Sequence, residues 1–338
     1  MRSFTYARPH DLTQLWREHG PDAAYIAGGT NLVDLMKCGV ATPQRVVDIG
    51  ALPLGGIELD GDKLHVGALA TNSDLAAHPL VVRHLPMLAQ ALLSGASPQL
   101  RNLATLGGNL MQRTRCGYFR DIAMPCNKRE PGAGCAAMDG SHHGHAVLGT
   151  SEHCIATHPS DLAVALVALD AQVSVAGPNG ARVVPADAFH LPPGDRPDRE
   201  TQLAAGELIL GVAIPLEAAG AHSCYVKVRE RASYAFALAS AAVGLDVRDG
   251  TIRDARVALG GVATTPWRAR AAERVLVGSA PGPAVFGRAA DAAAEGARPL
   301  RDNAYKVELI RRVVTRALTT LPDAPPPAAP GPLSGEPT

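Results

Sequence analysis

The first half of the chain alternates short apolar runs with segments that repeat apolar residues at helical spacing. Residues 23–27 are an apolar run of strand length, residues 45–49 are the next strand candidate, and residues 63–68 alternate as a half-buried strand does. Asp11 and Thr71 stand where helix N-caps are expected, each before a short predicted helix. Further helical patterns cover residues 32–36 and 85–93. We predict a small α/β unit over residues 1–58 and a second unit that begins at residue 59.

The second half carries a longer series of strand and helix patterns. Residues 162–169 predict a buried helix with Ser160 or Asp161 as its N-cap, and residues 171–176 and 181–184 predict a hairpin. Strand patterns follow at 207–214, 223–230 and 252–259, with an apolar stretch at 235–246, and helical patterns at 269–277, 285–296 and 303–318. The pattern predicts an α+β chain whose second unit ends at residue 222. A separate domain is expected at 223–321, and a disordered Pro-rich tail at 322–338.

Composition narrows the class of protein. The 338 residues are 46% hydrophobic, and 32 basic residues balance 32 acidic ones. This balance gives no electrostatic grip on nucleic acid or an anionic membrane. No apolar run approaches the roughly 20 residues that a membrane-spanning helix needs. No apolar signal core follows residues 1–6, so we expect the chain to fold in the cytoplasm.

Two glycine pairs are candidate anion-binding turns. Gly28 and Gly29 follow the strand at 23–27, and Gly107 and Gly108 follow Thr105; Asn and Leu come after both pairs. Glycine lets the backbone approach a phosphate closely, and free N–H groups at a helix start can bind it. Either pair alone could be only a tight turn. Two such turns in one chain favour a ligand with two phosphates, although two unrelated turns remain the alternative.

Four of the six cysteines lie within 39 residues. Cys116, Cys126, Cys135 and Cys154 could hold a [4Fe–4S] cluster or a structural Zn²⁺, although their spacing matches neither ferredoxins nor zinc fingers. The segment around them has little apolar content, so a metal centre would stabilise it. Five nearby histidines could replace a cysteine as zinc ligand or be ordinary polar loop residues: His142, His143, His145, His153 and His158. We predict isolated thiols for the remaining two cysteines, Cys38 and Cys224.

Several basic residues have two interpretations. Those near the cysteines could face an anionic thiolate cluster or form a solvated loop surface: Arg113, Arg115, Arg120, Lys128 and Arg129. In the strand at 223–230, alternation puts Lys227 and Arg229 on one face. That face could be exposed, or it could reach a ligand in a cleft between domains.

Four stretches together resemble the FAD-binding subunit of the xanthine dehydrogenase and aldehyde oxidoreductase family of molybdenum hydroxylases. They are residues 27–32, 105–110, 159–162, and 207–209 with 214–215. The resemblance covers residues 4 to about 321. The insert at 113–154 resembles the subgroup with an additional [4Fe–4S] cluster, which includes three-subunit bacterial aldehyde oxidoreductases and a related benzoyl-CoA reductase flavoprotein.

The resemblance implies a two-part FAD-binding domain of the vanillyl-alcohol-oxidase (PCMH) type, followed by a C-terminal α/β domain of the CO dehydrogenase flavoprotein type. Asp161 is expected at the ribose or adenosine part of FAD, and Lys227 near the isoalloxazine. The cluster ligands would be Cys116, Cys126, Cys135 and Cys154. The residues expected around the pyrophosphate are Ile26, Ala27, Gly28, Gly29, Thr30, Asn31, Leu32, Thr105, Gly107, Gly108, Asn109 and Gln112.

The implied function is electron transfer within an oxidoreductase. A large subunit with a molybdenum cofactor would oxidise an aldehyde, and a small subunit with [2Fe–2S] clusters would pass the electrons to FAD in this chain. No acid–base residue of this chain is then needed for catalysis. A partner's twin-arginine signal could export the assembled complex to the periplasm. The competing hypotheses are a stand-alone flavin oxidase of the same fold and a zinc-stapled, non-enzymatic scaffold.

Overall fold

The computed structural model describes residues 1–321, in which three β-sheets and their helices form an α+β chain. The predicted tail at 322–338 lies outside the described residues. The strands are β1 Thr5–Ala7, β2 Ala23–Ile26, β3 Arg45–Asp48, β4 Ile57–Asp60, β5 Lys63–Gly67, β6 Gln172–Gly177, β7 Gly180–Pro185, β8 Leu208–Pro215, β9 Ser223–Val228, β10 Ala239–Arg248, β11 Thr251–Gly260 and β12 Trp267–Arg268.

The helices are short in the first two thirds of the chain and longer towards its end. They are α1 Leu12–Glu18, α2 Leu32–Lys37, α3 Asn72–Ala77, α4 Pro79–His84, α5 Pro86–Ser94, α6 Pro98–Arg101, α7 Leu106–Leu110, α8 Gly117–Arg120, α9 Asp161–Ala168, α10 Ala186–Phe189, α11 Ala218–Ala221, α12 Arg270–Leu276, α13 Pro283–Ala293 and α14 Tyr305–Thr320. Within residues 1–321, none of them combines the length and the apolar character that crossing a membrane would need.

The first sheet is parallel, in the order β1-β3-β2. As predicted, Asp11 caps α1, since its side chain accepts the N–H of Gln14 at 2.8 Å. Strand β1 was not predicted, because three residues give too short a pattern to recognise. The sheet brings the end of β2, and with it the first glycine pair, to the edge from which α2 begins.

The second sheet has the order β4-β5-β8-β6-β7 and is antiparallel throughout. It pairs β5 with β8, which lies more than 140 residues further along the sequence. Strand β4 belongs to this sheet and begins at Ile57, so the sheet starts slightly before the predicted domain boundary at residue 58. Helices α5 and α9 pack together in the buried core associated with this sheet.

The third sheet, β12-β11-β10-β9, is covered by α12, α13 and α14, whose apolar faces form a second large core. The other face of this sheet packs against the preceding unit. Tyr225 of β9, Ala242 of β10 and Ala258 of β11 belong to the same buried cluster as α5 and α9. The last unit is therefore packed firmly against the middle one, and β9 lies directly beside α5.

The cysteine-rich segment at 113–154 contains only one helix, α8, and is held largely by ionic contacts. Arg115 and Arg120 bind Asp34 of α2 at 3.0 and 2.8 Å, and Arg113 and Lys128 both pair with Glu200. Arg129 donates to the carbonyls of three residues, Tyr118, Phe119 and Met124. These five basic side chains thus have partners within the protein and do not form only a solvated loop surface. Lys128 also lines a small cavity together with the four clustered cysteines, as the thiolate-cluster interpretation expects.

Candidate functional site

The two glycine pairs meet in the folded chain. Gly28 lies so close to the backbone before the second pair that a Cβ there would overlap the carbonyl oxygen of Leu103. A Cβ on Gly107 would meet Ala68 at 3.1 Å, and Gly29 has a left-handed φ of 70°. Glycine is therefore required sterically at these turns. The sequence favoured one ligand shared by the two turns over two unrelated turns. A shared ligand requires the two turns to lie close together, and the approach of Gly28 to Leu103 brings them together.

The two turns differ in the backbone donors that they offer. In the second turn the N–H groups of Leu106, Gly107 and Gly108 are used by Ala70 O, Ala68 O and Thr105 Oγ1, at 2.9, 2.8 and 3.2 Å. In the first turn, none of the N–H groups of residues 28–32 has a hydrogen bond to any part of the chain that the structure describes. Free backbone donors before a helix are suited to an anion, so the first turn is the better phosphate site.

The second turn contributes a side chain instead. Asn109 Oδ1 accepts hydrogen bonds from Gln112 Nε2 at 2.6 Å and from Ser160 Oγ at 2.7 Å. Because its oxygen is occupied by two donors, the Nδ2 group of Asn109 is left to donate. Both Asn109 and Gln112 line a large cavity. Ser160 also caps α9 through the N–H of Ala163, so one hydroxyl joins the second turn to the Pro-Ser-Asp stretch.

This cavity has a volume of about 830 Å³ and is the place where half of the predicted cofactor residues converge. The predicted residues that line it are Thr30, Asn31, Gly108, Asn109, Gln112, Asp161 and Lys227. Those that do not line it are Ile26, Ala27, Gly28, Gly29, Leu32, Thr105 and Gly107. The latter group shapes the turns; Thr105, for example, caps α7. Among the lining residues that were not singled out from the sequence as site residues are the polar side chains of Asn72, Asp34 and Glu230.

Asp161 and Lys227 form a buried ion pair at one part of this cavity. Lys227 Nζ lies 2.7 Å from Asp161 Oδ2 and donates to Ser94 O at 3.2 Å, and the two side chains are only 4% and 10% exposed. Tyr225 donates its hydroxyl proton to Asp161 Oδ1 at 2.7 Å. Burial, with the adjacent Asp161, raises the pKa of Tyr225 well above its ordinary value. The exposed-face interpretation of Lys227 is therefore wrong.

The pair also changes how the two residues can serve a ligand. The resemblance assigns Asp161 to the adenosine part of FAD and Lys227 to the isoalloxazine, but the two side chains are in direct contact. Tyr225 is a residue that the sequence interpretation missed. Its signal was available, since it lies two positions before Lys227 in β9 and so shares its face.

The cavity fits a long ligand with an anionic middle. Apolar side chains line this cavity, among them Leu92, Leu100 and Leu162, together with Arg115 and Phe236. The guanidinium of Arg115 is 5.2 Å from the Phe236 ring centroid. Apolar walls suit flat rings, and the free N–H groups of the first turn suit a diphosphate. The residues present therefore fit FAD.

The four clustered cysteines surround a second, smaller cavity. Cys116, Cys126, Cys135 and Cys154 all line it, and Cys126 and Cys135 are joined by an isolated antiparallel bridge. Among residues 1–321, no group of three or more His, Cys, Asp or Glu side chains converges closely enough to hold a single metal ion. The four thiols thus share a cavity without meeting at one point. Four cysteine thiols around one cavity are a donor set that a multi-iron cluster could use.

Burial dominates the acid–base properties of these thiols. It raises the pKa of Cys116 to about 11, with a smaller contribution from the neighbouring Cys126 and Cys154. Burial also raises the pKa of Cys135 and of Cys154, and the charge of Lys128 partly opposes the shift at Cys154. Thiols of this kind stay protonated unless a cation binds them as thiolates.

Only one of the five histidines near the cysteines touches a cysteine. His145 Nε2 lies 3.2 Å from Cys116 Sγ, and burial lowers the pKa of His145 to about 4. The other four have other contacts: His142 with Gly140 O and Asp302 N, His143 with the ring of Tyr305, His153 with Asp195, and His158 with the ring of His190. Histidine as a replacement zinc ligand thus finds no support in these contacts.

The two remaining cysteines stand apart from the cluster, as predicted. Cys38 accepts a hydrogen bond from Arg120 at 3.3 Å. Cys224 is buried in β9 and donates to Ala317 O at 3.3 Å. Burial raises the pKa of Cys224 to about 12, so it is an inert core thiol.

Two sequence families match consecutive parts of the chain. The family described as "FAD binding domain in molybdopterin dehydrogenase" matches residues 2–217. The family described as "CO dehydrogenase flavoprotein C-terminal domain" matches residues 223–321. These matches, with the solved structures below, confirm the predicted fold class.

Individual proteins agree with this assignment. The Aldehyde oxidoreductase FAD-binding subunit PaoB of Escherichia coli is 48% identical over 322 residues, which cover 94% of this chain and 98% of that protein. The Carbon monoxide dehydrogenase medium chain of Hydrogenophaga pseudoflava is 31% identical, over 93% of this chain and 96% of that protein. A solved structure of carbon monoxide dehydrogenase from Hydrogenophaga pseudoflava, lacking the Mo-pyranopterin moiety, matches with a TM-score of 0.74 and 30% identity, over 95% of this chain and 97% of that one.

Proposed function

The chain belongs to the FAD-binding medium subunits of the molybdenum hydroxylases, and we propose that it is the electron-transfer subunit of a molybdenum-dependent aldehyde oxidoreductase. It is an FAD-binding oxidoreductase subunit. The specific reaction is proposed from the 48% identity to an aldehyde oxidoreductase subunit over almost the whole chain. The proposed partners are a large subunit with a molybdenum cofactor and a small subunit with [2Fe–2S] clusters.

The observation that carries this proposal is the cavity between the two glycine turns and β9. When bound there, FAD supplies two-electron storage and one-electron exchange. The N–H groups of residues 28–32 and the amide of Asn109 would hold its diphosphate. The carboxylate of Asp161 would accept hydrogen bonds from ribose hydroxyls. Lys227 and Tyr225 hold that carboxylate in position through their hydrogen bonds to its two oxygens.

We propose that the second cavity holds a [4Fe–4S] cluster on Cys116, Cys126, Cys135 and Cys154. Its support is the shared cavity, together with the scarcity of regular structure in residues 113–154. The apolar cluster around the segment's first half is small, consisting of Phe119 and Cys126 with Leu35 of α2 and a few half-buried neighbours. A cluster with four ligands would therefore contribute to the folding free energy of this segment.

Substrate-dependent reduction of the flavin tests the electron-transfer function. The chain is purified alone and as a complex with its two partner subunits, and aldehyde is added without oxygen. We expect the flavin absorption to bleach only in the complex. Bleaching of the isolated chain by aldehyde would instead make it a stand-alone flavin oxidase, and a flavin-free chain with one zinc would make it a scaffold.

Iron analysis of single cysteine variants tests the cluster. Cys116→Ser, Cys126→Ser, Cys135→Ser and Cys154→Ser are each expected to lose iron and acid-labile sulfide. Cys224→Ser is the matched control, because that thiol is as buried as Cys126 and Cys154 but lies in β9. Full iron content in all four cluster variants would refute the assignment while leaving FAD binding untouched.

We also propose that the chain folds and acquires its cofactors in the cytoplasm. Export by a partner's twin-arginine signal is the route by which the complex would reach the periplasm. Cell fractionation with and without that partner distinguishes the two final locations.

A further inference from the structure

Cys116 occupies a position that the other three clustered cysteines do not share. It lines both the large cavity and the small one, whereas Cys126, Cys135 and Cys154 line only the small one. The thiol of Cys116 thus lies in the wall that separates the proposed FAD and cluster sites. A hydrogen bond to the sulfur of this ligand would therefore lie beside both sites.

His145 lies in the same wall. The residue is only 8% exposed, it lines the large cavity, and its Nε2 is 3.2 Å from Cys116 Sγ. Its second nitrogen, Nδ1, is buried and has no partner in residues 1–321. A thiolate can only accept a hydrogen bond, so the proton of the neutral ring belongs on Nε2. The tautomer that leaves Nδ1 bare avoids burying an N–H without an acceptor.

The backbone around His145 is fixed by the C-terminal unit. His145 N donates to His142 O at 3.0 Å, and Asn303 Nδ2 donates to Ala146 O at 3.1 Å. The fully buried Lys306, in α14, donates to Gly144 O at 3.0 Å and to Gly261 O. The backbone that carries the imidazole is therefore held in place by contacts on both sides of His145 in the sequence.

We propose that His145 is a positioning residue that raises the reduction potential of the cluster by donating its Nε2–H to the Cys116 sulfur in the wall of the FAD cavity. This inference rests on the proposed cluster. Reduction adds negative charge to the cluster sulfurs, so a hydrogen-bond donor at a ligand sulfur stabilises the reduced form more than the oxidised one. The contact makes Cys116 the ligand at which the protein adjusts the cluster potential relative to the flavin.

An EPR-monitored redox titration of the complete complex tests the inference. His145→Leu removes the donor and is expected to lower the midpoint potential of the cluster, with FAD content unchanged. His145→Gln has an amide N–H that can take the place of Nε2–H, and is expected to return the potential towards the wild-type value. His153→Leu is the control, since His153 lines the same small cavity but faces Asp195 rather than a cysteine.

The outcomes separate this inference from the proposal beneath it. A wild-type complex without cluster iron contradicts the proposed cluster, and with it the role of His145. A wild-type complex with a cluster whose potential is the same in His145→Leu contradicts only the role of His145. If His145→Leu does not load iron, His145→Asn takes its place, because its shorter amide does not reach Cys116. An unchanged potential in that variant likewise overturns the inference.

Discussion

Lys227 Nζ lies 2.7 Å from Asp161 Oδ2, although the two residues are 66 positions apart. The contact joins β9 of the C-terminal unit to the first turn of α9 in the middle unit. Tyr225 donates a further hydrogen bond to Asp161, and Ser94 O accepts one from Lys227. The ammonium group of Lys227 is therefore paired with the carboxylate of Asp161, and its effect on a bound flavin would pass through Asp161.

The buried pair makes its two members interdependent. Lys227→Met leaves an uncompensated carboxylate in a nearly water-free site, and we expect the unfolding free energy to fall by about 3–5 kcal/mol. Denaturant unfolding of Lys227→Met, Asp161→Leu and the double variant measures the coupling. The double variant should lose less than the sum of the single variants, by about 0.5–3 kcal/mol. Strict additivity would mean that the pair is not energetically coupled.

The contact between the two glycine turns leads to a steric prediction. Gly28→Ala places a methyl group against Leu103 O, so the backbone must move and the turns must separate. We expect a loss of about 1–3 kcal/mol in unfolding free energy, as for other overpacked sites, together with less FAD per chain. Gly20→Ala is the control, because nothing lies within 4 Å of a Cβ there. Equal FAD content in the two variants would contradict the role of the contact.

The elements of the fold were predictable where the signal is local. Asp11, Thr71 and Ser160 accept N–H groups three residues ahead, a distance that a sequence window contains. The hairpin of β10 and β11 likewise follows from its Asp249-Gly250 turn. The order of strands in the sheets could not be predicted in this way, because the pairing of β5 with β8 depends on contacts across the whole middle unit.

In the proposed FAD site, the second glycine turn would bind the ligand through the side chain of Asn109, because its backbone N–H groups are already hydrogen-bonded within the protein. Asn109→Asp keeps the size of the residue but replaces the donor by a carboxylate next to the diphosphate. A hydrogen bond to a charged group contributes about 1.5–3 kcal/mol, so FAD affinity should fall at least about tenfold. Titration of the apoprotein with FAD measures this. Asn179→Asp makes the same chemical change at the exposed turn before β7 and should leave the affinity unchanged.

Lys306 gives the folded chain a defined pH dependence. Burial lowers its pKa from the ordinary 10.5 to about 7, so between these values the unfolded chain binds a proton that the folded chain does not. Stability from this group therefore rises with pH from about 7 to 10.5, by at most about 1.4 kcal/mol per unit. Unfolding free energies of wild type and Lys306→Met, compared across this range, should differ in slope. Parallel curves would show that the buried amine does not titrate there.

The residue types of the site could be predicted from the sequence, but the contacts between its residues could not. Glycine pairs and clustered cysteines are visible in sequence because their chemistry needs those residue types. Three other features are not visible in the sequence. They are the ion pair of Asp161 with Lys227, the hydrogen-bonded N–H groups of the second turn, and the position of Cys116 between two cavities. Each depends on distances between segments that only the packed chain defines.

Cofactor analysis of the purified chain tests the central claim most directly. An anaerobic visible spectrum is recorded after co-expression with the partner subunits, together with measurements of iron, acid-labile sulfide and zinc. We expect an oxidised flavin spectrum, with about four iron and four sulfide per chain, as a [4Fe–4S] cluster requires. Flavin without iron would retain the FAD subunit and remove the cluster. A colourless chain with one zinc and no flavin would contradict the account as a whole.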